Sequence, residues 1–251
     1  MSHRFLFSGL ITGTLALAAN HVAADEWSFQ IEPYLMGVTI DGDAGIGRVD
    51  GADVDVDFDD ILDNLDLGGF GRFEARHESG WGVALDYAFM DLSDDITGPR
   101  GGVLSGDVRE GVLEAMLVKG TQSGDAQLDY FAGLRWWDID VDVTIDPVIL
   151  PGTVSASVEE DWVDLVIGAR WKNPISEKWT LVLRGDIGAG GADFTAGAVI
   201  GFRYRIGELT ELDLGYRALY VDYETGTPGQ PGYFMYDTIT HGPMIGLVFN
   251  W

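Results

Sequence analysis

Cysteine is absent from this 251-residue chain, which excludes a disulfide framework and every thiolate metal site. Basic side chains are scarce: 15 Lys and Arg stand against 41 Asp and Glu, a formal charge of −26. Nucleic acid is held by clustered Lys and Arg along its phosphates, and no such cluster exists here, so no nucleic-acid partner is expected. Histidine is rarer still, with four in the chain. Beyond residue 24 no apolar run is long enough for a transmembrane helix, and helical periodicity is scant. Glycine is plentiful at 35 residues, and hydrophobic and aromatic side chains make up 46% and 12%. That composition folds in spite of its charge.

The first residues read as an export signal. Arg4 precedes an apolar stretch over 5–19, and the small residues Val22, Ala23 and Ala24 suit a signal peptidase. Cleavage after Ala24 is expected, leaving a single domain over 25–251.

Within that domain the recurring pattern has period two. Trp81, Val83, Leu85, Tyr87 and Phe89 alternate with Gly82, Ala84, Asp86, Ala88 and Met90, the mark of a strand with one greasy face. The same alternation returns around Leu134, Leu165, Leu183, Phe202, Leu214 and Leu247. With 27–36, 67–77 and 107–118 it predicts ten strands, eight or twelve being the alternatives. Turns near Ser79, Gly124, Pro174 and Glu208 are short, whereas the links over 41–66, 93–106, 138–161 and 222–237 are long; the link near Ala192 breaks the pattern. Short turns at one end and long acidic loops at the other predict an all-β, antiparallel up-and-down transmembrane β-barrel, with its turns in the periplasm.

The contrast between the two faces decides between lipid and water. Inward positions by parity are Arg72, Arg76, Arg135, Arg170, Arg184, Arg203, Arg205 and Arg217, against Glu32, Glu74, Asp86, Glu110, Glu114, Asp129, Asp164, Asp186 and Asp213. The opposite faces carry no ionised side chain across their central spans, as hydrocarbon requires when a midplane Lys or Arg costs about 2–4 kcal/mol. Trp27, Trp81, Trp171, Trp179, Tyr204 and Trp251 gather beside the short turns, and Tyr87, Phe89, Trp136 and Tyr220 fall toward the loops, giving two aromatic girdles. The inward charges are read first as packing and second as the lining of a narrow polar pore.

The first long loop is strongly acidic. Asp53, Asp55 and Asp57 alternate on one strand face, with Asp59 and Asp60 following. Oxygen clusters of this kind suit Ca²⁺ or Mg²⁺, although Phe58 and Asn64 occupy positions where an EF-hand needs Gly and Glu. A solvated strand extension that attracts cations is the plainer reading. Phe58, Ile61, Leu62 and Leu65 then fall at helical spacing after Asp57, predicting a short helix that folds over or into the barrel mouth as a plug, or packs against its outer rim.

The ending over 246–251, with Gly246, Phe249 and a final Trp251, is similar to the C-terminal assembly signal of Gram-negative outer-membrane barrels. Signal peptide, alternation and loop asymmetry together make the chain resemble the small OmpA/OmpW-type, porin-like outer-membrane proteins. The resemblance implies an outer-membrane location among lipid and lipopolysaccharide. It also implies insertion by the barrel assembly machinery and a last strand paired with the first. A monomer is expected, with a structural or narrow porin-like role passing small polar or cationic solutes. A receptor, adhesin or divalent-cation binder working through the acidic loops is the alternative. No cofactor and no catalysis are expected. Past residue 24 only His77 and His241 remain; His77 sits beside a turn, and His241 has lipid-facing or rim parity, with Asp237 or Ser93 as its nearest candidate partners.

Overall fold

The computed structural model describes residues 26–47, 49–97, 103–146 and 154–251; the expected signal segment lies outside them. Alternation becomes strand wherever it was found. The elements are β1 (Trp27–Met36), β2 (Thr39–Ile46), β3 (Val49–Val56), α1 (Phe58–Asn64), β4 (Leu65–His77), β5 (Trp81–Thr97), β6 (Val103–Ser123), β7 (Ala126–Asp146), β8 (Val154–Pro174), β9 (Trp179–Gly190), β10 (Phe194–Arg205), β11 (Thr210–Thr225) and β12 (Phe234–Asn250). From β4 onward each strand pairs antiparallel with the next. β12 returns to β1, Gln30 opposite Asn250 and Met36 opposite Met244, so no edge is left in the lower wall.

Twelve strand segments make a closed ten-strand barrel because two wall strands are interrupted. β1 lies on the lower part of β12 and β2 on its upper part, Thr39 facing His241 and Ile46 facing Phe234. The break falls at Gly37 and Val38, where the β12 partner is Pro243, which has no amide hydrogen to give, and where the Gly37 amide bonds the Pro243 carbonyl at 2.8 Å. At Gly242 a Cβ would overlap the Gly37 carbonyl, so glycine is required there. On the far side β4 pairs with β1, β3 pairs with β2, and α1 joins them. No ladder joins β3 to β5 among the described residues, so the wall above the Leu65–Leu92 pair has an unzipped seam.

α1 settles as neither a plug nor an outer cover. Ile61 is buried against Val38, Ile40 and Met90 on the lumen side, while Phe58 lies over Gly37 on the other side and is 42% exposed. The helix is therefore a piece of the wall, inserted where two strand segments would otherwise meet. Of its apolar residues, Ile61 serves the lumen as the neighbouring strand residues do.

The long loops expected from the acidic segments are mostly strand. β6, β7 and β8 each run 21 residues, about twice the ~10 needed to cross a membrane. The pattern never stopped: in 138–142 Asp alternates with Ile139 and Val141, which turn to the lumen. β9 and β10 are shorter at 12 residues each, and their link around Ala192, the one that broke the alternation of lengths, is tucked under β8.

Outward positions carry the exposed hydrophobics, among them Leu85, Leu134, Leu165, Ile167, Ile200, Leu214 and Leu247. At the short-turn end Trp27, Trp81, Trp179 and Trp251 are exposed, with Lys119 over the Trp81 ring at 5.1 Å and Lys178 over Tyr204 at 5.8 Å. Tyr87, Trp136 and Phe194 are exposed toward the loop end, where Phe194 lies 6.1 Å from the expected Tyr220, while Tyr216 sits lower, opposite Ile200. An apolar band between two girdles is what a bilayer selects.

Candidate functional site: a lumen in two zones

Inward side chains fill the lower and middle lumen with charge. Asp129 receives Arg76 at 2.7 Å and Arg170 at 2.8 Å, and Glu74 receives the same two arginines. Above them Glu32 joins Arg203 at 2.9 Å to Arg72 at 3.2 Å, Arg203 also reaches Asp213 at 3.0 Å, and Arg72 reaches Asp86 at 2.8 Å. Asp86 accepts from the Tyr34 hydroxyl at 2.8 Å, which in turn accepts from Arg217 at 2.7 Å. At the top Glu114 and Asp186 are shared by Arg135, at 2.5 and 2.6 Å, and Arg184.

The balance is complete. Seven arginines, Arg72, Arg76, Arg135, Arg170, Arg184, Arg203 and Arg217, are paired with seven carboxylates, Glu32, Glu74, Asp86, Glu114, Asp129, Asp186 and Asp213. Guanidinium forks meeting carboxylates at these distances are strong, directional contacts, and each removed partner would strand a buried charge. Glycines make room for them. A Cβ at Gly168 would come within 2.6 Å of the Asp186 side chain, and one at Gly197 within 2.7 Å of its carboxylate. The space left between Arg72, Asp86, Glu114, Arg170 and Arg184 is about 20 Å³, enough for one water.

Three members expected in this ladder stand outside it. Arg205 is exposed at the short-turn mouth, lining a vestibule of about 870 Å³ with Arg203, Lys172 and Glu211; parity placed its face correctly, but the ladder ends above it. Asp164 is fully buried yet caps the β9–β10 turn, accepting from the Ala192 amide at 2.8 Å and from Trp162 Nε1 at 3.2 Å. Glu110, also buried, is met by the Tyr236 hydroxyl at 2.9 Å and makes no ion pair with a described residue.

Glu110 belongs to a different zone. Above the ladder the lumen is apolar and aromatic. Trp137 stacks on Trp162 at 5.5 Å, Trp162 on Tyr223 at 3.8 Å, and Tyr223, Phe234 and Tyr236 complete a circuit that closes edge-on against Trp137 at 6.5 Å. Next to this circuit lies a cavity of about 180 Å³, bounded by Ile40, Val54, Met90, Leu92, Ile139 and Phe234. The Trp137 indole nitrogen and the hydroxyls of Thr238 and Thr240 are buried here without a hydrogen-bond partner. These residues escaped the sequence reading because they lie beyond the predicted strand ends. Continuing the parity of Arg135 to Trp137 and Ile139 would have found them.

His241 points away from the lumen, as its parity implied, but neither Asp237 nor Ser93 is its partner. Its Nε2 lies 2.6 Å from Asp41 and its Nδ1 2.6 Å from the Tyr216 hydroxyl, while Asp237 accepts from Tyr220. Both ring nitrogens are committed, and the trio ties β2, β11 and β12 together beside the wall break. His77 contacts Ser79 and Glu26 at the short-turn end.

Among the acidic residues singled out for cations, Asp57, Asp59 and Asp60 surround the start of α1, and Asp53 and Asp55 lie on β3 opposite Asp43 and Asp41. No group of three His, Asp or Glu side chains suited to a metal occurs among the described residues, which exclude the side chains of Asp53 and Asp55. The assembly-signal residues lie where the barrel closes: Gly246 opposite Tyr34, Phe249 opposite Ile31, and Trp251 exchanging backbone hydrogen bonds with Phe29.

No known protein family matches the chain, and no curated protein sequence matches it. Solved structures do. The outer membrane protease OmpT from Escherichia coli aligns over 90% of this chain and 97% of its own at 8% identity, with a TM-score of 0.52. The attachment invasion locus protein Ail of Yersinia pestis aligns over 90% and 99% at 11% identity and a TM-score of 0.40. Neisserial surface protein A aligns over 89% and 96% at 12% identity and a TM-score of 0.35. Identities this low speak for the fold alone. With a closed antiparallel ten-strand wall, an apolar outer band and two girdles, the chain is a β-barrel of the Gram-negative outer membrane.

Proposed function

We propose that the protein is a sealed outer-membrane barrel that works from its extracellular half as a binding protein, rather than as a porin-like conduit for polar or cationic solutes. The observation that carries this reading is the ladder of seven arginines and seven carboxylates, which fills the mid-lumen and leaves about 20 Å³ among its members. A hydrated ion entering there would have to part ion pairs that are almost wholly buried. The binding half is the upper one, where 21-residue strands carry an apolar chamber beyond the membrane.

Catalysis has no part in this reading. His241 faces outward with both nitrogens occupied, and His77 is held at a turn. Lipid and lipopolysaccharide are its lateral partners, the assembly machinery inserts it, and the barrel acts as a monomer. Planar-bilayer recording of the refolded full chain tests the proposal. A silent membrane is expected, and an Arg135→Ala, Glu114→Ala double variant should admit current if it folds. Regular conductance steps from the wild-type protein, with a reversal potential under a salt gradient, would overturn the sealed reading in favour of a narrow cation pore.

A further inference from the structure

Among the described residues two buried carboxylates stand outside the matching of charge: Asp164 is capped by a backbone amide and an indole, whereas Glu110 lines open space. It stands where two cavities meet. The larger, of about 180 Å³, has Glu110 and Tyr236 as its polar lining residues; the smaller, of about 30 Å³, shares Met90 and Glu110 with it and continues to Thr240 and Arg217. Tyr236 donates to one oxygen of Glu110, and no Lys or Arg among the described residues comes within ion-pair distance. Arg109, next in the chain, is turned to the other face and bound to Asp140 at 2.7 Å, and Arg217 is engaged by Tyr34 and Asp86. The Thr240 hydroxyl, 9% exposed and lining the small cavity, has no partner.

An apolar cavity of about 150 Å³ accommodates a benzene-sized molecule, so the chamber has room for a guest of roughly that size with a short side arm. The side arm must satisfy a carboxylate that the protein itself leaves without a cation, which is costly in a dry site. Phe234 and Tyr236 add ring faces of the kind that attract ammonium groups. Around the chamber the outward face is acidic, with Asp107, Asp142, Glu159 and Asp161 exposed, so cations are concentrated at the entrance.

We propose that the upper chamber binds one small, largely apolar primary amine, its ammonium group on Glu110 and beside Thr240, its hydrocarbon body among Val54, Val56, Met90 and Ile139. This deepens the reading of the outer half as a binding site and rests on it. The two fail separately: ion current through the wild-type barrel counts against the sealed floor, whereas the measurements below concern the chamber alone.

The test uses the full chain in lipid nanodiscs, with phenethylamine, phenethyl alcohol and propylbenzene as near-isosteric probes, titrated by calorimetry and against tryptophan fluorescence, to which Trp137 and Trp162 beside the chamber contribute, with protein-free discs as the blank. Phenethylamine is expected to bind about tenfold or more tightly than the alcohol, and Glu110→Gln to erase that preference while the alcohol binds as before. Filling the chamber with Ala44→Phe, or with Val141→Phe should the first fail to fold, is expected to abolish binding of all three. Equal affinity for amine and alcohol, an amine preference that survives Glu110→Gln, binding that survives a filled chamber, or no binding of any probe would each overturn the proposal.

Discussion

Glu110 and Glu114 lie four residues apart on β6 and face the same lumen, yet they live in different solvents. Glu114 is opposite Arg135 and shares two guanidinium groups; Glu110 is opposite Ile139 and meets one phenol. Between the two the filling of the barrel changes from ion pairs to aromatic and aliphatic side chains. A barrel of about eight strands leaves an interior wide enough for side chains only, and the two additional wall strands here demand larger fillers. Arginine meets that demand low in the lumen, provided every guanidinium finds a carboxylate. Tryptophan and tyrosine meet it higher up, where the unzipped seam between β3 and β5 and the broken first wall strand give a less regular enclosure. The lower zone is rigid by charge matching, and the upper zone retains space and unmatched polar groups. Those are the properties of a floor and of a receptacle.

The sharpest way to break the comparison is to remove Arg135, which is fully buried against Glu114, Asp186 and Thr195. Arg135→Ala leaves Asp186 dependent on Arg184, and Glu114 on Arg184 and, at 3.8 Å, on Arg217, and a loss of about 3–5 kcal/mol is expected. The readout is the urea midpoint of tryptophan fluorescence in micelles. A midpoint within error of wild type would mean that the ladder is not what holds the lower lumen together.

The two glutamates offer the direct comparison. Glu114→Gln weakens charge-assisted bonds to two arginines and should cost about 2–3 kcal/mol. Glu110→Gln keeps an acceptor for Tyr236 and disturbs no ion pair, so a change of less than about 1 kcal/mol is expected. Equal losses from the two variants would erase the boundary drawn between the zones.

That boundary also marks how far the sequence could be read. Parity alone put every ladder member on the inner face, because a strand's side chains alternate regardless of context. Parity does not give height. Whether an inward acid meets an inward arginine depends on the stagger between neighbouring strands, and this is why Glu110, Asp164 and Arg205 were grouped with groups they do not touch. The same limit hid Trp137 and Trp162. Their strands were ended at the first run of aspartates, since outward acid reads as loop once the strand leaves lipid, although Ile139 and Val141 kept the alternation on the inner side. The interruption of the first two wall strands was legible only at its helix, predicted from Phe58, Ile61 and Leu62. Its place in the wall depends on Gly37 and Pro243, residues 206 positions apart in numbering that the closure of the barrel brings to a 2.8 Å hydrogen bond.

In the upper zone the orphaned polar groups predict a gain. Thr238 is 1% exposed and its hydroxyl lacks a partner. Thr238→Val replaces a desolvated hydroxyl by a methyl of similar shape and should raise stability by about 1 kcal/mol, read as a higher urea midpoint. A lower midpoint would show that the hydroxyl is satisfied in solution and that the upper lumen is wetter than its lining implies.

The smallest effect belongs to the outer face of the same strands. Arg109 and Asp140 pair across β6 and β7 at 2.7 Å, within the range of the ladder contacts, but their side chains are 46% and 28% exposed. Water and salt screen such a pair, so Asp140→Asn should change stability by less than about 0.5 kcal/mol and by less still at high salt. Distance is thus nearly matched while burial is varied. If Asp140→Asn proved as damaging as Arg135→Ala, the strength of the ladder would lie in its geometry and not in its exclusion from water, and the division of the lumen by solvent would lose its physical basis.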